Sequence, residues 1–359
     1  MGTCRPCTLE GAPAACRTPR FVLSKKKVLG QFQKVSRLAD VVSYSSKTNQ
    51  DVTRILEDST DCWFSMHLIN ELKHVEDMSR ILFLAHAWDD RLIDRLFKLG
   101  ITKFAVDNVP DLELLLAFLD GNDIKIDLFL RIRLHELTVR TERYFVFGMS
   151  ADTINELIPK LRENPNIGRL GVHFHRKTQN MSEWDLEHDI SGMLDDKTLE
   201  MVDFVNIGGG LPSVYASTNK DVLKSIFEKI SSFKDWLAER DVNMVIEPGR
   251  FIAAPAVELH TRIIRVYDNN IVVDASVYNT DMDAIIVPVK LLVEGELDKG
   301  KGKAYVIKGL TPCSMDIFRY RVYLNDPEVG DKIIFLNAGA YNFSSDFCDL
   351  EKLETEIVD

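Results

Sequence analysis

The sequence has few cysteines and no long apolar run, and both features restrict the class of protein. Its 359 residues include only six cysteines, too few for the disulfide framework of a small secreted domain, so we expect reduced thiols. No apolar stretch approaches the roughly 20 residues that span a bilayer, and the first residues contain no apolar signal core. We therefore expect a cytoplasmic protein that does not enter a membrane.

Positive charge is also scarce. The chain has 44 Lys and Arg residues against 55 Asp and Glu residues, which gives a formal net charge of -11 at pH 7. The one basic run that stands out is 25–27. This balance argues against a nucleic-acid partner, because such partners are held by clustered positive charge.

Residues 1–18 contain Gly, Ala, Pro and Thr without any periodicity, and we predict a disordered leader. Cys4 and Cys7 form a C-x-x-C pair there, with Cys16 nearby. A zinc or redox centre is the alternative interpretation, but no second ligand pair lies at zinc-finger spacing. We expect no bound metal.

Eight short runs of β-branched and aromatic residues are separated by helix-length segments. This alternation predicts a closed (β/α)8 barrel of the TIM type with an all-parallel core. The runs cover 41–46, 62–66, 81–85, 103–107, 126–132, 168–175, 204–208 and 243–247. A helix predicted over 23–40, with Ser24 as N-cap, leads into the first run.

The sequence pattern changes after Arg250. Long helices become scarce, and runs of alternating or β-rich residues continue between turn residues. We therefore predict two domains after the leader, a barrel over 19–250 and a C-terminal β-domain over 251–359, in which 284–293 is one of the strands.

Polar residues follow several of these runs, and the carboxyl ends of barrel strands form one mouth where active sites lie. Lys47 follows the first run, the glycines at 208–210 follow the seventh, and Glu247 and Arg250 follow the eighth. A partly desolvated lysine can form a Schiff base, a carboxylate can keep a pyridine ring protonated, and an arginine and a glycine loop can hold phosphate. A solvated loop lysine and a tight glycine turn are the alternatives.

Five motifs, taken together, resemble one family. They are 44–49 (YSSKTN), 171–175 (GVHFH), 207–212 (IGGGLP), 247–251 (EPGRF) and 338–341 (AGAY). In this order they are similar to the fold-type III pyridoxal-phosphate decarboxylases, which include the ornithine, arginine, lysine and diaminopimelate decarboxylases. The resemblance covers about 19–345 and implies an alanine racemase-like fold, pyridoxal 5'-phosphate as cofactor, and a homodimer with shared active sites.

The resemblance also implies residue roles. Lys47 matches the Schiff-base lysine, and Glu71 and Arg131 match a supporting shell around the active site. The remaining cofactor contacts that it implies are His175, Thr178, Gly209, Gly210, Glu247, Arg250 and Tyr341. Thr178 replaces the usual serine at the phosphate, in a turn that lacks the family's flexible glycine.

Two further departures concern the substrate. Cys313 resembles the family's catalytic cysteine but lies one position later, and Asp316 ends the same segment, which the family contributes from the partner chain. Ser314 follows Cys313 where decarboxylases of diamino acids tend to have an acid. Asp281 and Asp283 are the alternative partners for a distal amine, and a solvated acidic turn explains them equally well.

The resemblance therefore implies pyridoxal-phosphate-dependent decarboxylation of an L-amino acid, with a basic or diamino acid such as ornithine, lysine or arginine favoured, as in polyamine biosynthesis. Decarboxylation of diaminopimelate or of a conjugated amino acid, racemisation on the same fold, and a catalytically silent regulatory homologue remain alternatives. His67 and His86 also follow barrel strands, but they lack metal-site spacing and are expected to have a packing role.

Overall fold

A strand precedes the first helix where the sequence predicted helix alone. The structure is a computed structural model that describes residues 18–134, 146–219, 221–287, 289–342 and 344–359. Strand β1 (Arg20–Ser24) runs directly into helix α1 (Lys25–Ser36), and the Ser24 side chain accepts a hydrogen bond from the backbone N–H of Lys27. The predicted cap is confirmed, but the helix begins later than 23 because 20–24 pair as a strand. The predicted leader lies outside the described residues apart from Thr18.

Eight parallel strands close into a barrel, as the sequence predicted. The first and last strands pair directly, with Val41 opposite Val245. The barrel consists of β2 (Val41–Ser45), β3 (Trp63–Met66), β4 (Ile81–Ala85), β5 (Lys103–Val106), β6 (Ile126–Arg131), β7 (Ile167–His173), β8 (Phe204–Asn206) and β9 (Asn243–Ile246). Each strand lies within or beside its predicted run.

Side chains on alternate sides of these strands form two apolar layers. Ile81 and Phe83 of β4 belong to the main core, which includes the surrounding helices. Leu82, between them, belongs to a separate cluster that also contains Ala105, Phe129, Phe204 and Val245, and this cluster therefore fills the barrel interior. The filled interior leaves only the rim of the barrel for a site.

Seven more helices surround or follow the barrel strands. They are α2 (Gln50–Ser59), α3 (Asp90–Lys98), α4 (Val109–Leu119), α5 (Ala151–Arg162), α6 (Leu186–Ser191), α7 (Asp196–Glu200) and α8 (Asp221–Ala238). Polar caps begin several of them; Asn49, for example, accepts hydrogen bonds from Asp51 and Val52 at the start of α2. The segment after β3 forms a short 3-10 helix, Ile69–His74. None of the described helices is long and apolar enough to cross a bilayer.

A mixed sheet with three short helices follows the barrel. This part of the chain consists of α9 (Arg250–Ala256), β10 (Val257–Tyr267), β11 (Asn270–Val273), α10 (Val277–Thr280), α11 (Met282–Ile286), β12 (Leu292–Val293), β13 (Lys303–Lys308), β14 (Ile317–Leu324), β15 (Lys332–Leu336) and β16 (Thr355–Val358). The strand order is β12-β15-β10-β11-β13-β14. The strand predicted over 284–293 was wrong except at its end, because Ser276 caps a helical segment that extends to Ile286.

The two parts of the chain are joined at both ends of the barrel sequence. Strand β1 pairs with β10 and β16, so the first described strand lies in the mixed sheet rather than in the barrel. On the other side, the backbone N–H of Tyr341 donates to Thr48 O at 3.0 Å. Gly339 approaches α9 so closely that an added Cβ would lie 2.0 Å from Ala253 O.

We predict that Gly339→Ala lowers the free energy of unfolding by about 1–3 kcal/mol, because the methyl group cannot fit without moving the backbone of α9. Gly30→Ala is the matched control. Nothing lies within 4 Å of a Cβ at Gly30, so in the interior of α1 that change should raise the free energy of unfolding by about 0.5–1 kcal/mol. Urea unfolding followed by circular dichroism measures both, and equal effects would contradict the close packing at Gly339.

Candidate active site

The amine of Lys47 lies at the barrel mouth, in the turn after β2. Its Nζ is 3.2 Å from Nε2 of His67, which follows β3. Glu71 fixes the His67 loop, because its Oε1 accepts hydrogen bonds from the backbone N–H groups of His67 (3.0 Å) and Leu68 (2.9 Å). Lys47 and Glu71 are thus brought together through His67, for which the sequence favoured a packing role over lining the pocket.

Glu247 is a buried carboxylate at the end of β9. Its Oε1 accepts a hydrogen bond from Asn206 Nδ2 at 2.8 Å and lies 3.6 Å from Nε2 of the buried His173. Burial alone would raise the pKa of Glu247, but His173 and Asn206 outweigh it and bring that pKa down to about 2. Glu247 is therefore ionised at neutral pH. Within the described part of the chain, the hydrogen bond from Asn206 is the one that the Glu247 side chain makes, and it involves Oε1 and not Oε2.

The glycine loop after β8 packs closely against Glu247 and His175. The backbone N–H of Gly209 donates to Nδ1 of His175 at 3.2 Å. A Cβ at Gly209 would lie 2.8 Å from Glu247 O, so no side chain fits. The surrounding protein and the positive charges of Lys47 and Arg131 lower the pKa of His175 to about 3. Its ring is therefore neutral, and it still opens onto the mouth.

Arg250, the first residue of α9, has a buried guanidinium surrounded by polar groups from both parts of the chain. Its Nη1 and Nη2 pair with the two carboxylate oxygens of Asp283, and its Nη1 donates to Tyr215 OH at 2.9 Å. Thr178 Oγ1 lies 3.4 Å from Nε, and the Tyr341 ring centroid lies 5.3 Å from the guanidinium carbon. The sequence-predicted cofactor residues Thr178, Arg250 and Tyr341 thus lie together.

Asp281 is beside this ion pair, and its environment is different. It is 1% exposed, and neither carboxylate oxygen has a hydrogen-bond partner among the residues that the structure describes. Burial and the neighbouring charge of Asp283 raise the pKa of Asp281 well above its ordinary value. The acidic pair therefore contains one residue engaged by Arg250 and one with free oxygens.

A second polar group lies at the ends of β4, β5 and β6. Arg131 donates to Asp107 at 3.3 Å, His86 Nδ1 lies 3.6 Å from Asp107, and the Arg131 guanidinium carbon lies 5.1 Å from the Phe147 ring centroid. Burial lowers the pKa of Arg131 from its ordinary value, although Asp107 opposes the shift. Arg131 thus occupies the side of the mouth where the sequence predicted a supporting residue.

Cys313 lies in the loop before β14, and Tyr278 is its partner. Tyr278 OH is 3.0 Å from Cys313 Sγ, and the Tyr278 ring stacks on Phe347 with centroids 3.8 Å apart. This hydrogen bond lowers the pKa of the Cys313 thiol. Asp316 is 1% exposed, and its carboxylate accepts hydrogen bonds from Ser276 Oγ, Val277 N, and the N and Oγ1 of Thr311. Both carboxylate oxygens of Asp316 are therefore already engaged by neighbouring residues of the same chain.

Sequence reasoning missed three residues that contact the site: His173, Asn206 and Tyr215. Two of them had a usable signal. His173 lies two residues before His175 and therefore on the same side of its strand, and Asn206 lies two residues before the glycine loop. Tyr215 reaches its partner through the fold, and no local pattern indicates it.

The comparisons with known proteins first establish the fold. Diaminopimelate decarboxylase from Helicobacter pylori, solved in complex with L-lysine, superimposes with a TM-score of 0.79 at 20% identity, over 96% of this chain and 92% of that chain. Lysine/ornithine decarboxylase from Vibrio vulnificus, solved with cadaverine, gives 0.77 at 21% identity, over 95% of each chain. The predicted barrel with a following β-domain is confirmed.

The family follows from the sequence match. Residues 25–254 match the family model described as the pyridoxal binding domain of pyridoxal-dependent decarboxylases. This is more than half of the chain, and the chain belongs to that family. Diaminopimelate decarboxylase of Archaeoglobus fulgidus is 25% identical over 273 residues, which cover 68% of this chain and 64% of that relative. The matched stretch therefore spans less than two thirds of that relative's length.

The residues at the mouth fit pyridoxal phosphate. The family's cofactor needs an amine, an anion beside its ring nitrogen and a phosphate site. Lys47 presents an amine, Glu247 is ionised with one oxygen free of hydrogen bonds in the described residues, and the Gly209 backbone has no room for a side chain. Arg250 and Thr178 lie nearby.

The ionised state of Glu247 predicts a pH dependence of stability. Its pKa in the folded protein, about 2, lies below the ordinary 4.5, so the stability it contributes is present above about pH 4.5 and is lost as the pH falls toward 2. Between pH 6 and pH 3 the wild type should therefore lose about 2 kcal/mol more free energy of unfolding than Glu247→Gln. Urea unfolding at each pH tests this, with Glu113→Gln on the exposed face of α4 as control. Parallel pH profiles for wild type and Glu247→Gln would contradict it.

Proposed function

We propose that this chain is a pyridoxal-phosphate-dependent carboxy-lyase that releases CO2 from an L-amino acid, with a basic or diamino acid favoured. The observation that carries the proposal is the Lys47 amine at the same barrel mouth as the buried, ionised Glu247. The relatives support the substrate class, because they are decarboxylases of diaminopimelate, lysine or ornithine.

Each residue at the mouth has a distinct task in this proposal. When bound, pyridoxal phosphate supplies a conjugated ring that accepts the electron pair left by the departing carboxylate. Lys47 would supply the amine to which the cofactor is attached. Glu247, which is ionised, would keep the ring nitrogen protonated. His175 is neutral, so it contacts the ring without adding charge.

In this proposal, uncharged hydrogen-bond donors would bind the phosphate group of the cofactor. Asp283 already engages two nitrogens of Arg250, so the guanidinium has few donors left for an anion. Thr178 and the backbone N–H of Gly210 would supply further donors, and Tyr341 would supply its hydroxyl. The backbone N–H of Gly209 already donates to His175, so Gly209 would contribute only the space left by its missing side chain. Arg250 then contributes chiefly by holding Thr178, Tyr215 and α9 in place.

We infer that Asp281 is the acidic residue that contacts a distal ammonium group of the substrate. Asp281 and Asp283 were predicted for this role, and Arg250 engages Asp283. Asp316, the other acid predicted to contact the substrate, is engaged by four hydrogen bonds within the chain. Asp281 keeps both carboxylate oxygens free of partners in the described residues. A buried carboxyl without partners gains most from a cation that reaches it. Asp316 instead fixes the Cys313 loop.

We also propose a homodimer in which the Cys313 loop completes the partner's site. Leu310 and Met315 in this loop are 48% and 56% exposed, and large apolar side chains beside a reactive thiol are typical of a surface that a partner covers. An isologous dimer would form two identical composite sites. Tyr278 and Asp316 would then orient the thiol that returns a proton to the substrate carbon.

The decarboxylase proposal predicts CO2 release. Purified protein with pyridoxal phosphate should release CO2 from at least one member of a panel of ornithine, lysine, arginine, diaminopimelate and conjugated amino acids. Lys47→Ala should reduce the release to background, because the cofactor loses its attachment point. Lys26→Ala, an exposed lysine of α1, should leave the rate unchanged. Racemisation without CO2 release, or no reaction with any panel member, would contradict the proposal.

The composite-site proposal predicts complementation between two inactive chains. Random pairing of Lys47→Ala with Cys313→Ala chains makes about half of the dimers mixed, and one of the two sites in each mixed dimer has both residues. Activity should recover to about a quarter of the wild-type value per site. Native mass spectrometry confirms the chain exchange. Demonstrated exchange without recovery, when each single variant is inactive, would show that both residues act within one chain.

A further inference from the structure

The Lys47 amine has one hydrogen-bond partner within the described residues, and that partner is His67. Nζ of Lys47 and Nε2 of His67 are 3.2 Å apart. The two residues follow neighbouring strands, β2 and β3, which pair in parallel through Tyr44 and Phe64. The paired strands therefore place both side chains at the same point of the barrel rim.

His67 is itself fixed by a carboxylate. Glu71 Oε1 accepts the backbone N–H groups of His67 and Leu68 at 3.0 and 2.9 Å. The residue before His67 is the buried Met66, the last residue of β3. The backbone of His67 is thus held on both sides, so the position of its imidazole is set before any ligand arrives.

The imidazole is neutral. The surrounding protein, with the charge of Lys47, lowers the pKa of His67 to about 3. A neutral imidazole that accepts a hydrogen bond from an ammonium at Nε2 carries its own proton on Nδ1. Nδ1 is buried and has no hydrogen-bond partner in the part of the chain that the structure describes. A histidine with a purely structural role would have hydrogen-bond partners for both ring nitrogens. Here Nε2 contacts Lys47 while Nδ1 has no hydrogen-bond partner in the described residues.

We propose that His67, held by Glu71, is a positioning residue that fixes the Lys47 amine for attack on the cofactor's carbonyl carbon. The proposal rests on the proposed function, in which Lys47 is the attachment point. In that step the ammonium first loses one proton to solvent. The amine nitrogen then forms a double bond to the carbonyl carbon, and the carbonyl oxygen leaves as water with the two remaining amine protons. His67 remains neutral throughout and fixes the position of the Lys47 amine nitrogen.

The test measures bond formation at Lys47 rather than turnover. Cofactor-free protein is mixed with pyridoxal phosphate, samples are reduced with borohydride at timed intervals, and peptide mapping gives the rate of labelling at each lysine. His67→Phe keeps a ring of similar size without nitrogens, and should slow labelling of Lys47 by about tenfold or more, because the amine is no longer held in one place. His67→Gln keeps a hydrogen-bonding group and should stay within about threefold of wild type.

Two further variants separate positioning from folding. Glu71→Ala releases the His67 loop and should also slow labelling, whereas His188→Phe, on the exposed side of α6, should match the wild type. Thermal unfolding identifies any variant that does not fold. With pyridoxal, which lacks the phosphate, the ratio of the Lys47 labelling rates of wild type and His67→Phe should be the same, because His67 acts on the amine and not on the phosphate.

The outcomes distinguish this inference from the proposed function. If wild-type protein is labelled at another lysine, the proposed attachment point is wrong. If Lys47 is labelled in wild type and equally fast in His67→Phe, the role of His67 is overturned while the attachment point stands. If His67→Phe does not fold, Glu71→Ala decides, and labelling of that variant at the wild-type rate overturns the proposal.

Discussion

The mouth of the barrel is organised around one buried negative charge. Removing the Glu247 carboxylate from water is unfavourable unless polar groups surround it. Two such groups come from neighbouring strands: Asn206 of β8 donates a hydrogen bond to it, and the His173 ring of β7 lies 3.6 Å away. Asn206 also accepts the backbone N–H of Gly208 at 2.9 Å, and Gly209 donates to His175. The need to solvate one carboxylate therefore fixes the glycine loop and the His175 ring at the same time.

A second constraint joins the barrel to the mixed sheet near Lys47. The Lys47 turn is flanked by Thr48, whose carbonyl accepts Tyr341 N–H, and by Asn49, whose side chain donates to Gly339 O at 3.0 Å. Arg250 and Asp283 form a buried ion pair across the same junction. These contacts lie next to the Lys47 turn. A change in the packing of the mixed sheet would therefore move the Lys47 amine without altering any residue at the mouth.

The sequence predicts the barrel well because periodicity and turn signals are local. All eight strands lie at the predicted runs. Strands β1 and β16 were missed, since they are stabilised by each other and by β10, at sequence separations that no local pattern encodes. The same limit applies to the site. The motif residues are recognisable in sequence, whereas the pairing of His67 with Lys47, of Asp283 with Arg250, and of Tyr278 with Cys313 depends on the closed fold.

The distribution of charge at the mouth bears on how an anionic cofactor is held. At the proposed phosphate site the charge of Arg250 is balanced by Asp283. In the proposed binding mode, phosphate would therefore be retained there by hydrogen-bond geometry, which is short-ranged and little affected by salt, more than by net attraction. Where the cofactor ring would lie, the Glu247 carboxylate is ionised, so a strong field acts where the reacting bonds would be.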